Sequence, residues 1–153
     1  MTTASILQET TRAKVAHARW VKRAEHLISG LPIEKDFIPL EATTCVFGQW
    51  FYSQGTRLRS IEKIAPIFDK IEKQHDKIHD IYGEIYKIYF VIPEKRGLLD
   101  RLLTFNSKEP TATQKEEAKV KYKLLKEISH TLILHIEELE KEAKTLNYEE
   151  LGM

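Results

Sequence analysis

His75 and His79, inside the run Gln74-His75-Asp76-Lys77-Ile78-His79, stand four residues apart. On an α-helix that spacing puts both rings on one face with Cβ atoms roughly 5–6 Å apart. Zinc–imidazole bonds of about 2.0–2.1 Å let both rings reach one ion. His75 also shares the three-and-four spacing of Phe68, Ile71, Ile78, Tyr82, Ile85 and Tyr89, an apolar stripe that faces a core. A buried imidazole beside a second one needs a metal or a polar partner. His17 falls in another such stripe with Ile6, Ala13, Trp20, Ala24 and Leu27, and Cys45 opens a short aromatic-rich helix. In the first turn of that helix, exposed amides and the helix dipole would favour a Cys45 thiolate. Three imidazoles and one thiolate form a four-coordinate nitrogen and sulfur set, which suits tetrahedral Zn²⁺ better than Mg²⁺ or Ca²⁺. Each ring left unsatisfied in a core costs roughly 1–3 kcal/mol. Structural zinc contributes on the order of 10–16 kcal/mol in small peptides.

The elements that must bring these four side chains together are all helical. The first helix is expected from about Thr3 to Ser29, with Gly30 as its C-terminal cap. Leu31 to Pro39 breaks the pattern and reads as a connector. Thr43 or Thr44 suits the N-cap of the short helix running to Tyr52, which Gly55 ends, and Arg57 to Ala65 reads as a short helical approach. Pro66 opens the third helix, where its missing N–H costs nothing, and that helix runs to Val91 ahead of Pro93. Glu94 to Pro110 is polar and irregular, apart from one helical turn around Leu98 to Leu103. Thr111-Ala112-Thr113-Gln114 is a capping box, and the last helix continues to about Leu146. Its buried stripe is Ala118, Tyr122, Leu125, Ser129, Leu132, Ile136, Leu139 and Ala143. No strand pattern occurs. The expectation is an all-α, antiparallel four-helix bundle of three long helices and one short Cys-bearing helix, a single domain over residues 1–153.

Composition removes several function classes. Twenty-four Lys and Arg against 23 Asp and Glu leave a net charge of +1, so no attraction to nucleic acid or membrane follows. One cysteine excludes an internal disulfide and fits a reducing compartment. The N-terminus lacks the basic and long apolar segments of a secretory signal. The stretch Ile85 to Ile92 is interrupted by Lys87 and falls far short of the ~20 residues of a membrane span. A cytoplasmic protein is expected.

Each residue also has a plainer reading. His17 alone is more often a hydrogen-bonded core histidine, and Cys45 alone a small buried hydrophobe. His26, His130 and His135 read as solvated, and Phe47, Trp50, Phe51, Tyr82, Tyr86 and Tyr89 as packing. Glu72 with His75, and Glu127 with His130, carry the Glu-x-x-His spacing of ferritin-like di-iron bundles, but Glu127 and His130 flank the core stripe on its outer side. A catalytic zinc keeps one position open for water, which four protein ligands would close. No nucleophile–base pair stands out, and no enzyme is expected. A purely structural bundle stapled by zinc stays open.

His17-Ala18-Arg19-Trp20, Cys45-Val46-Phe47-Gly48-Gln49-Trp50 and His75-Asp76-Lys77-Ile78-His79 resemble, in order and separation, the chemoreceptor zinc-binding (CZB) domain family. That family is marked by His-x-x-Trp, Cys-x-Phe-Gly-x-Trp and His-x-x-x-His. The resemblance covers about residues 10 to 90, and the last helix matches only as a long amphipathic helix. It implies that His17, Cys45, His75 and His79 are the zinc ligands, with Trp20 and Trp50 packing around them. It further implies a cytoplasmic sensory bundle, often a homodimer, related to domains attached to methyl-accepting chemoreceptors or diguanylate cyclases. Such domains sense zinc, or oxidants such as hypochlorous acid through the zinc-bound cysteine. No signalling or cyclase domain follows in this chain, so a stand-alone member with a signalling partner, or a piece of something longer, is expected.

Overall fold

In a computed structural model of the chain, the described residues are 1–31, 33, 40–91, 109–147 and 149–151. Helix α1 spans Thr3–Ile28. A capping box starts it: the Ser5 amide donates to Thr2 Oγ1 at 3.1 Å, and the Thr2 amide donates to Ser5 Oγ at 3.1 Å. Gly30, at φ 74°, ends it, and the Leu31 amide reaches back to the His26 carbonyl at 3.0 Å. That is the left-handed turn glycine adopts without strain.

Helix α2 is short, Val46–Phe51, and a tight 3₁₀ turn over Gln54–Ser60 follows. Helix α3 spans Ala65–Tyr86 with Pro66 in its first turn, and its last residues widen into a π turn over Lys87–Val91. Helix α4 spans Ala112–Ala143, capped by Thr111, whose Oγ1 accepts from the Gln114 amide. The expected connector from Leu31 to Pro39 lies largely outside the described residues. So do Pro93 and the helical turn around Leu98 to Leu103.

Polar contacts fix the directions of the helices. Thr3 donates to the Ala143 carbonyl, while Thr10 and Lys14 both reach Glu140, so α1 runs antiparallel to α4. Lys70 pairs with Glu138 and Lys121 with Glu84, so α3 runs antiparallel to α4 as well. Consequently α1 and α3 run in the same direction, side by side on α4. The core lies between the three: Ile6, Ala13, Ala24 and Leu27 from α1, Phe68, Ile71, Ile78 and Ile85 from α3, and Leu125, Leu132, Ile136 and Leu139 from α4. Among the described residues the regular structure is all helical, as the periodicities require, and no described helix is long and apolar enough to cross a membrane.

The backbones of α1 and α3 approach each other at few points, whereas each packs along α4. The cleft between α1 and α3 is filled by rings. Trp20 of α1 lies 4.5 Å from His79 and 5.5 Å from Tyr82, centroid to centroid. Phe47 of α2 lies 5.8 Å from His17 and 5.1 Å from His75. Helix α2 is seated by Phe51, which stacks on Phe68 at 3.9 Å with nearly parallel planes.

Candidate metal centre

His17, Cys45, His75 and His79 are all buried, and the fold brings them to one point in that cleft. Cys45 Sγ and His79 Nε2 each lie 3.2 Å from His75 Nε2. The ligand atoms of His17, His75 and His79 lie within 4.8 Å of one another. Tetrahedral zinc at ordinary bond lengths sets its ligands about 3.3–3.6 Å apart. The two 3.2 Å separations at His75 Nε2 are therefore already close to the spacing of neighbouring ligands on one ion.

The outer nitrogens fix which atoms face inward. His17 Nδ1 is 2.7 Å from the Ala13 carbonyl oxygen, and His79 Nδ1 is 3.1 Å from that of Leu40. A carbonyl only accepts, so Nδ1 carries the proton in both rings and Nε2 keeps its lone pair. Holding a ligating imidazole through a backbone carbonyl is a common second-sphere arrangement at metal centres. His75 differs, because its buried Nδ1 has no hydrogen-bond partner. A proton on His75 Nε2 serves either Cys45 or His79, not both, and leaves a lone-pair atom facing lone pairs. A cation accepts all of these pairs at once, so the donor set fits zinc.

Electrostatics agree. Burial, then the neighbouring His17 and His79, pushes the His75 pKa down to about 2. Burial lowers His17 too, opposed by its bond to Ala13. Both rings are therefore neutral at ordinary pH, the form that binds metal. Cys45 corrects one expectation. It is the N-cap of α2, one residue before the first turn, and burial pushes its thiol pKa up. The amides of Gly48 and Phe47 pull the other way and lose. A thiolate here needs a bound cation, because desolvation outweighs the helix start.

The other candidates lie elsewhere. Glu72 pairs with Arg59 at the surface, and Glu127 and His130 are exposed on α4, so the two Glu-x-x-His pairs do not converge. His135 faces Glu138. Trp20 packs on His17 and His79, whereas Trp50 packs on Phe47, one layer further out. Residue types alone concealed the carbonyls of Ala13 and Leu40, since backbone acceptors leave no mark in a sequence. They also concealed the role of Gly48, although a glycine inside a short helix is itself a sign of close approach.

Comparison with known proteins agrees with this geometry. The family model described as Chemoreceptor zinc-binding domain matches residues 17–86, which begin at His17 and include Cys45, His75 and His79. No curated protein and no solved structure matches the chain. Residues 17–86 are thus similar to the chemoreceptor zinc-binding domain family.

Proposed function

We propose that the chain is a sensory or regulatory domain, not an enzyme, that binds one zinc through His17, Cys45, His75 and His79. It reports zinc or an oxidant to a signalling partner of chemoreceptor or cyclase type, in the cytoplasm and as a homodimer. The observation that carries this reading is the convergence of Cys45 Sγ and His79 Nε2 on His75 Nε2, each at 3.2 Å. Bound there, zinc would hold the Cys45 sulfur as a thiolate at neutral pH.

Cys45 is then the oxidisable group. The thiolate sulfur attacks the chlorine of hypochlorous acid and releases hydroxide; water then displaces chloride from the sulfenyl chloride to give sulfenic acid, and the oxidised sulfur is a weaker ligand. His17 is the ligand on α1, while His75 and His79 are on α3. Weakening the shared site loosens the ring-filled cleft and leaves α1 held to α4 through Thr3, Thr10 and Lys14. That is a local change at one sulfur with a readout in helix packing.

Burial of all four side chains also suits a purely structural zinc staple. Titrating the zinc-loaded protein with hypochlorous acid, with a chromogenic chelator present, separates the two. A sensor releases zinc in step with oxidation of Cys45, and reductant restores binding. Zinc retained through complete oxidant challenge leaves the staple.

A further inference from the structure

Gly48 sits inside α2, at a position where glycine is the poorest helix former after proline. The reason lies in the turn before it. A Cβ on Gly48 would stand 1.7 Å from the Ala42 carbonyl oxygen and 2.8 Å from its carbon. Both are backbone atoms, so no side-chain rotation relieves the clash. The turn that carries Ala42 is itself tied down. The Thr44 amide and hydroxyl donate to the Glu41 carbonyl at 3.1 and 3.0 Å, and Gln49 Nε2 donates to the Thr44 carbonyl at 3.1 Å.

The same two residues hold the sulfur. The Gly48 amide donates to Cys45 Sγ at 3.1 Å, and the Ala42 carbonyl lies 3.4 Å from it. His75 Nε2 lies on its other side at 3.2 Å. We propose that Gly48 is the positioning residue for Cys45: its missing Cβ admits the Ala42 carbonyl, and the closed turn aims Sγ at the imidazoles. The inference rests on the reading of Cys45 as a zinc ligand. A methyl at this position lifts the turn off α2, withdraws the sulfur and leaves a site of three histidines.

Cobalt(II) in place of zinc tests this, since a cobalt–thiolate bond adds a near-ultraviolet charge-transfer band that imidazole ligation lacks. Gly48→Ala is compared with Gly83→Ala, whose added methyl meets nothing within 4 Å, and is also made in the Gly83→Ala background, where the better helix former supports α3. The parent and Gly83→Ala should show the thiolate band. Gly48→Ala should keep its helical circular dichroism, bind cobalt without that band, and lose zinc affinity about 10- to 100-fold. A small added thiol should restore the band by taking the vacated position. A parental band and affinity in Gly48→Ala overturn the proposal. So does unfolding of Gly48→Ala in both backgrounds, which would make the glycine a requirement of the fold rather than of the ligand. A parent without the band refutes Cys45 as a ligand altogether.

Discussion

Two of the three imidazoles at the centre are anchored and one is not. His17 and His79 are held by the Ala13 and Leu40 carbonyls, while His75 packs among Phe47 and Phe51 with a bare Nδ1. His75 therefore depends on the shared site for its polar satisfaction, and burial, then the neighbouring His17 and His79, holds its pKa down at about 2. An unfolded histidine titrates near ~6.5. Below that value the unfolded chain takes up protons that folded His17 and His75 refuse. Their contribution is whole above ~6.5 and drains as pH falls, until the lowered folded value is reached. Zinc-free protein should lose up to about 1.4 kcal/mol per pH unit for each of the two rings. Urea midpoints measured at about pH 7.5 and about pH 5.5 check this, and equal midpoints would mean that the rings are not buried neutral. The residue types and spacings of all four candidates were readable from the chain, because histidine in an apolar stripe is conspicuous. The thiol's ionisation was not, since it depends on how deeply Cys45 sinks, which spacing does not reveal.

At the scale of elements, periodicity was the reliable guide. The stripe on α4 is buried as expected at Ala118, Leu125, Ser129, Leu132, Ile136, Leu139 and Ala143, with Tyr122 half-buried. The capping box at Thr111 and Gln114 lies where the sequence placed it. On α1, Thr10 is buried in the stripe although its hydroxyl hides it from an apolar pattern; it donates to Glu140 at 2.7 Å. Helix ends were less legible. Helix α3 departs from α geometry after Tyr86, and the approach to it is a 3₁₀ turn over Gln54–Ser60 rather than a helix from Arg57 to Ala65. Widened and tightened turns satisfy backbone groups without a distinctive side-chain pattern. Thr111→Ala should cost about 1 kcal/mol, lowering the melting temperature by about 2–4 °C. Zinc content should not change, because α4 contributes no ligand. A loss of zinc in Thr111→Ala would show that α4 positions the site more tightly than its contacts suggest.

Over the whole molecule, α4 is the spine on which α1 and α3 lie parallel, and the candidate metal centre occupies the seam between them. Directions came from ion pairs such as Lys70–Glu138 and Lys121–Glu84, long-range pairings that a one-dimensional pattern does not contain. In this arrangement, the part of α1 around His17 and Trp20 is held to α3 by rings, while its N-terminal half is tied to α4 by Thr3, Thr10 and Lys14. Chelation should therefore raise amide hydrogen exchange in α1 from about Ala13 to Ala24 and in α2, with α4 little changed. Uniform exchange before and after chelation would separate the site from helix packing. The most direct measurement is the metal content of purified protein beside a Cys45→Ser variant, after both are exposed to the same competing chelator. One zinc per chain in the parent, with about a tenfold or greater loss of affinity in the variant, is the expected result. No zinc in the parent, or equal zinc in both proteins, would contradict a metal centre built on Cys45.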